Sequence, residues 1–376
     1  MRRLRILSLD GGGLRGIFTL RLLQALEREC RQPVQELFDY VIGTSTGGIL
    51  ALALFHCGFT IPECMDLYRE LGAEAFQRWK VGAGRAHAYD HAKLEALLRA
   101  KFGDRKLAAP STTHVAVVAH RWDQAPNRVA IFANYDIDPS ASRFERAPRS
   151  AAVWEAARAT SAAPTYFEPC TIHADGAAKQ YVDGGLVANN PVLLAFAEAS
   201  TLGIVGSVVS LGTGRLPVDV RTRDPNPWLW HLAKDLVEGS LEASANIQEG
   251  ASTSIFEYLA IPYLRLDGNV FSSAMEDASR MSSWVAAADE ILADPTTRKA
   301  LADFCRANVR RAVSPKPAAR PAAKSPALPG GARSPLAAIQ DAAAPTKRTP
   351  RRQAVRWDEL SSSEDEAGAE DEAIAA

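Results

Sequence analysis

Nowhere in this chain do about 18 apolar residues run together, so no segment reads as a helix that crosses a bilayer. Charge of one sign is also missing: 43 Lys and Arg stand against 44 Asp and Glu, a formal net charge of −1. That balance excludes a global field drawing the protein to nucleic acid or to acidic lipid, so any such contact falls to local patches. Cysteine is sparse and scattered. Cys30, Cys57, Cys64, Cys170 and Cys305 form no C-x-x-C pair and no metal-ligand spacing, which predicts reduced, partly buried thiols in a cytoplasmic protein. The basic start Met1-Arg2-Arg3-Leu4-Arg5 leads into an apolar run that stops at Asp10, too short for the core of a signal peptide. No metal and no other cofactor is expected, and no internal repeat is present.

What is there is ordinary globular material. Hydrophobic residues make up 47% of the 376 and charged residues 23%, enough apolar side chains for one large buried core. Residues 1–312 read as that folded domain. From Val313, Pro, Ala, Ser, Lys and Arg dominate as far as Arg356, and Ser361-Ser362-Ser363-Glu364-Asp365-Glu366 follows. Basic then acidic, and without apolar period, residues 313–376 cannot bury enough surface to offset their chain entropy; they read as a disordered tail. Within the domain, short apolar runs at Ile6–Leu9, Tyr40–Ile42, His114–His120, Arg128–Tyr135 and Val205–Leu211 read as strands, and amphipathic stretches between them as helices. Residues 227–247 read as a helix carrying Trp228, Trp230, Leu232, Leu236 and Leu241.

The stretch Val41-Ile42-Gly43-Thr44-Ser45-Thr46-Gly47-Gly48-Ile49 has apolar residues leading in, a serine two positions from a glycine on either side, and a helical apolar pattern behind. That is the strand–turn–helix grammar of a nucleophile elbow. A side chain at Gly43 or Gly47 would collide with a neighbouring strand or helix, and the Ser45 hydroxyl stands exposed at the tip. A loop that only turns the chain is the plainer reading. Upstream, Ile6–Leu9 opens into Asp10-Gly11-Gly12-Gly13-Leu14-Arg15-Gly16 ahead of a helix with Leu20, Leu22, Leu23 and Leu26. Unpaired backbone N–H groups at such a turn make an anion site. Gly11, Gly13 and Gly16 also satisfy G-x-G-x-x-G, but a dinucleotide site needs an acidic residue closing the second strand. Here the second strand closes on the elbow instead. An oxyanion hole suits the place better, because both loops of a βαβ unit sit at strand C-terminal ends on one sheet edge. Downstream come the small-residue run Ala159-Thr160-Ser161-Ala162-Ala163-Pro164, the turn Asp183-Gly184-Gly185 after an apolar strand end, and Asn189-Asn190-Pro191 before a helix. Asp-Gly-Gly alone is an ordinary turn.

Taken in this order and spacing, the four glycine- and alanine-rich segments resemble the patatin-like phospholipase family over about residues 5–215. The resemblance implies an α/β fold, a three-layer α/β/α sandwich with a mainly parallel central sheet. It implies lipid acyl hydrolysis of the phospholipase A type by a Ser45–Asp183 dyad, with phospholipid or galactolipid substrate, peripheral membrane contact, and no nucleic-acid polymer. On that reading Asp183 is the general base for Ser45. The loop Gly11, Gly12, Gly13, Arg15 and Gly16, with Thr46, forms the oxyanion hole and meets substrate. A histidine triad would fall to His231, the only histidine after Asp183, in a Trp-rich helical stretch rather than a strand-end loop. Two other readings stay open. One is a latent relative, switched on by a cyclic nucleotide as some bacterial members are in antiphage defence, or an inactive one that binds a partner. The other is a nucleotide-binding module built on the Gly11–Gly16 loop.

Overall fold

The computed structural model describes residues 3–77, 87–126, 128–138, 140–174, 176–215, 229–270 and 275–308, the side chains of 229–234 excepted. The tail 313–376, most of the irregular stretch after Gln77, Trp228, and the side chains of Trp230, His231 and Leu232 lie outside the described residues.

Strand β1 (Arg3–Leu9) runs through a single 3-10 turn into α1 (Gly16–Cys30); a short α2 (Val34–Leu37) leads to β2 (Tyr40–Thr44) and α3 (Thr46–Ala51). The last of these continues as a wider π-type turn, Leu52–His56. Helices α4 (Ile61–Glu70) and α5 (His91–Phe102) precede a hairpin, β3 (His114–Arg121) and β4 (Arg128–Ala133), then β5 (Glu145–Arg146) and α6 (Val153–Thr160). A second hairpin, β6 (Cys170–Ala174) and β7 (Ala177–Asp183), gives way to α7 (Gly185–Ala188), α8 (Val192–Leu202) and β8 (Ile204–Leu211). Finally come α9 (Leu229–Tyr258), β9 (Tyr263–Leu266), α10 (Met281–Ala293) and α11 (Pro295–Asn308). The start of α4 is held by a capping box, Thr60 with Glu63. Helix α9 runs well past the end expected at residue 247, through a stretch of Ser, Thr and Gly that carries little apolar period.

The strand order is β5-β4-β3-β2-β1-β8-β9, with β7 added to β3 and β6 to β7. β1 pairs in parallel with β2 and β8, β2 with β3, β8 with β9, and β4 with β5. The pairs β3–β4, β3–β7 and β6–β7 are antiparallel. The sheet is therefore mixed and mostly parallel. Its side chains alternate between two cores: Leu7, Leu9, Val41, Val115 and Val117 pack with α1, α3 to α6, α10 and α11. Ile6, Tyr40, Ile42, Ala116 and Val118 pack with α8 and with Phe256 of α9. Burial on both faces is why these strands read as unbroken apolar runs.

This topology sets the site. β1 has β2 on one side and β8 on the other, so their C-terminal ends share one crevice. β2 ends at Thr44, opposite Val118 of β3; β7 runs in from the other direction along the same edge, with Asp183 opposite Ala119. The two strands meet end to end, and residues 45 and 183, 138 positions apart, become neighbours.

One expectation is overturned. Cys30 and Cys305 form a disulfide with a Cα–Cα distance of 5.0 Å, tying the end of α1 to α11. The two are 275 residues apart in sequence, so no local spacing could reveal a pair that exists only because those helices pack. Cys57, Cys64 and Cys170 are free thiols. Among the described residues no helix is long and apolar enough to cross a membrane.

Candidate active site

β2 hands the chain to α3 through Ser45, whose backbone lies at φ 52°, ψ −120°, a costly conformation for a residue with a Cβ. A Cβ at Gly43 would overlap the Gly47 carbonyl, and one at Gly47 the Leu9 carbonyl of β1. Glycine is thus what lets α3 begin so close to two strands. Thr160, the last residue of α6, braces the turn: its Oγ1 accepts the Ser45 N–H at 2.9 Å and donates to the Val118 carbonyl. Tyr68 of α4 clamps the next residue, its hydroxyl donating to the Thr46 carbonyl at 2.9 Å and meeting Thr46 Oγ1.

Ser45 Oγ donates to Asp183 Oδ2 at 2.6 Å, and the Gly185 N–H donates to Asp183 Oδ1 at 2.7 Å. Asp183 is 3% exposed. Burial pushes its carboxyl up to about 6, against the downward pull of the bonds from Ser45 and Gly185. A carboxylate so placed accepts a proton far more readily than an exposed aspartate. Among the described residues no imidazole bonds to it.

The glycine loop lies against both. Its Gly11 N–H donates to the Asn189 carbonyl at 2.9 Å and its Leu14 N–H to the Met275 carbonyl at 2.8 Å. Among the described residues the N–H groups of Gly12, Gly13 and Thr46 meet no acceptor, and these three residues line one cavity with Ser45. Gly13 sits at φ 58°, where glycine is favoured. Thr213 Oγ1 donates to the Gly11 carbonyl at 2.8 Å. Asp10, at the head of the loop, is anchored by Arg265 of β9, whose guanidinium reaches Asp10 at 2.7 Å, Asp267 at 2.9 Å and Glu249 at 3.2 Å. Burial alone would lower the Arg265 pKa, but the three carboxylates reverse this and keep the arginine charged.

The cavity beyond Ser45 is an apolar slot walled by Leu14, Ile49, Leu71, Phe76, Leu94 and Phe167. Counting its open mouth, it holds about 670 Å³. Ser45, Asp183, Gly12, Gly13 and Thr46 converge on it, whereas Gly11 and Arg15 line an adjoining chamber. Gly16 reaches neither: it is packed under Tyr68 and Thr46. Arg15 is 8% exposed, with one long bond from Nε to the Gly12 carbonyl at 3.4 Å. Burial lowers its pKa, opposed by the fields of Asp267, Glu242 and Glu238.

Thr160 and Asn189 lie in segments the sequence marked out, but it gave neither a role, and Arg265 had no local signal at all, being 255 residues from Asp10.

The family model for patatin-like phospholipase matches residues 7–196. Mouse calcium-independent phospholipase A2-gamma is 37% identical over 237 residues, 58% of this chain and 30% of that protein. The rat 85/88 kDa calcium-independent phospholipase A2 is 32% identical over 311 residues, 72% of this chain and 36% of that one. The chain thus spans about a third of the length of these curated relatives. VipD from Legionella pneumophila, a solved structure, aligns at TM-score 0.40 and 12% identity over 77% of this chain and 67% of that one, too loosely to add to the strand order. The matched span runs from β1 into α8 and contains the glycine loop, the elbow and Asp183. The chain belongs to the patatin-like phospholipase family.

Proposed function

We propose that this protein is a lipid acyl hydrolase of the phospholipase A type, with Ser45 as nucleophile and Asp183 as its base. The observation that carries the proposal is the 2.6 Å bond from Ser45 Oγ to a buried carboxylate at the mouth of an apolar slot. In the first half-reaction Asp183 takes the Ser45 proton as Oγ attacks the ester carbonyl. The N–H groups of Gly12, Gly13 and Thr46 receive the developing oxyanion, each such donor being worth about 3 kcal/mol in the transition state. Because Thr160 already occupies the Ser45 N–H, that group stays with the turn. Asp183 then gives the proton to the leaving alcohol, and water attacks the acyl-enzyme by the same route.

The acyl chain enters the slot and the polar end of the lipid turns toward Arg15, whose buried cation suits a phosphate. A membrane is the source of such a substrate. Leu236, Ile247 and Tyr258 are exposed on α9 at 11-residue intervals, which keeps them on one stripe of the helix and supports peripheral contact with the bilayer. Turnover of a fluorogenic acyl ester and of mixed phospholipid vesicles by wild type, Ser45→Ala and Asp183→Asn tests the proposal. Both variants should lose more than 99% of the rate, on the order of the loss when one member of a nucleophile–base pair is removed; equal rates for all three would refute it.

A further inference from the structure

The glycine loop lies within the span 7–196, but the side chain that grips its head does not. Arg265 of β9 donates from Nη2 to Asp10 Oδ2 at 2.7 Å. β9 is the last strand on its side of the sheet and pairs in parallel with β8, Arg265 standing opposite Ser210. Ser210 in turn stands opposite Ser8 of β1, two residues before Asp10. This register lays the arginine across the end of β8 and onto the residue that follows β1. Its aim is fixed on the way. Nη1 donates to Ser210 Oγ at 2.8 Å, Nη2 also to Asp267 Oδ2 at 2.9 Å, and Nε to Glu249 Oε2 at 3.2 Å. The planar fork of donors on a guanidinium is what allows one side chain to hold all four partners.

Asp10 is buried, and its second oxygen, Oδ1, has no hydrogen-bond partner. Among the described residues Arg265 is the one cation within ion-pair distance of this carboxylate. A buried charge that loses its partner is strongly destabilising, so the place of Asp10 depends on the arginine. Past Asp10 the loop is held at few points. The Gly11 N–H donates to the Asn189 carbonyl, the Leu14 N–H to the Met275 carbonyl, and Thr213 Oγ1 to the Gly11 carbonyl. Between these points the N–H groups of Gly12 and Gly13 meet no acceptor among the described residues, and both glycines line the cavity with Ser45. Where those two N–H groups point follows from where Asp10 and Gly11 are pinned.

We propose that Arg265 is a positioning residue for the reaction: acting through Asp10, it sets the Gly12 and Gly13 N–H groups where the oxyanion forms. The inference rests on the hydrolase proposal for the step affected, but not for the hold on the loop. Arg265 lines neither the slot nor the adjoining chamber. Its loss therefore leaves the acyl contacts in place and is felt when charge develops on the carbonyl oxygen. The charges give this a signature. Arg265→Met strands a buried negative charge at the head of the loop, and Asp10→Asn in the same chain removes that charge. The second substitution should restore part of what the first takes away.

Steady-state hydrolysis of an acyl ester by the full chain, with amide hydrogen exchange of the peptide covering residues 10–15, tests this. Arg265→Met should lower kcat about 100-fold with KM changed less than about twofold, the effect of misplaced oxyanion donors, and should speed exchange in the loop. Asp10→Asn alone should cost about 10-fold, and the double variant should match it, regaining about 10-fold over Arg265→Met and recovering protection. Arg215 pairs with Glu249 and Asp267 but not with Asp10, and is partly exposed; Arg215→Gln should keep kcat within about twofold of wild type. An arginine that only ties β9 to its neighbours predicts otherwise. A double variant no faster than Arg265→Met, an equal loss in Arg215→Gln, or a loss confined to KM would each overturn the inference. Should thermal melting show that Arg265→Met does not fold, Asp10→Asn decides: kcat lowered at constant KM supports the inference, and an unchanged kcat overturns it. A wild type that hydrolyses no ester would sink the hydrolase proposal instead, and exchange in the loop would still decide whether Arg265 holds it.

Discussion

Replacing Asp183 with asparagine should stop turnover and yet make the protein more stable at neutral pH. The carboxyl is buried and its pKa stands at about 6 in the fold, against 3.8 for an ordinary aspartate. Between those values the folded protein keeps a proton that the unfolded chain gives up. The contribution of this group to stability is therefore greatest below pH 3.8, declines as pH rises through about 6, and is flat above. The gap of roughly 2 units amounts to about 3 kcal/mol of destabilisation at pH 8 relative to a neutral side chain. Asparagine is the apt replacement: its oxygen can accept the Gly185 N–H and its amide can donate to Ser45 Oγ, so both contacts survive. For a folded unit of about 300 residues this corresponds to a rise in Tm of roughly 4 °C. Thermal denaturation of wild type and Asp183→Asn at pH 4 and pH 8 reads it directly. The variant should match wild type at the lower pH and exceed it at the higher. A variant that is destabilised equally at both values would refute the claim that Asp183 is a charge held in the site at the expense of stability.

The same group sets a pH profile: kcat/KM should rise with pH through a midpoint of about 6, as Asp183 loses its proton, and an activity flat from pH 5 to 8 would count against it as the base. Thr160→Val removes the acceptor for the Ser45 N–H and the donor to Val118; stopped-assay kinetics should show kcat down about 10- to 100-fold through misplacement of the nucleophile. Cys30→Ser opens the tie between α1 and α11 and should cost about 2–4 kcal/mol in denaturant unfolding, as should a reducing agent on wild type. Ester turnover at 25 °C should persist, because the disulfide touches none of the residues around Ser45.

How much of this was legible in the residues follows from the range of each interaction. The elbow and the glycine loop announced themselves because their geometry excludes side chains: Gly47 lies against the Leu9 carbonyl and Gly43 against that of Gly47, so the constraint is written locally. β1, β2, β3, β4 and β8 were legible because burial on both faces leaves apolar runs, and α4 because its cap is a four-residue motif; β5, β6 and β9, short and only partly buried, were not. Helix α9 was cut short where Ser244, Gly250, Ser252, Thr253 and Ser254 interrupt the apolar period. Its continuation is held by tertiary contacts, such as Phe256 against Tyr263, rather than by propensity. Arg265 and the disulfide were illegible for a common reason: each joins segments more than 250 residues apart, and only the closed sheet puts them together. Arg15 was nameable from the motif, but its burial without an ion partner was not, since that depends on where Glu238 and Glu242 of α9 come to rest.

The central claim is that Ser45 is the nucleophile, activated by Asp183. Exposure of the full chain to an alkyl fluorophosphonate, followed by proteolysis and mass spectrometry, tests it most directly. The account predicts a single adduct on the peptide containing Ser45, formed in step with loss of ester turnover, far slower in Asp183→Asn and absent in Ser45→Ala. An adduct on another residue that tracks the loss of turnover, or full turnover by a protein carrying the adduct on Ser45, would contradict it.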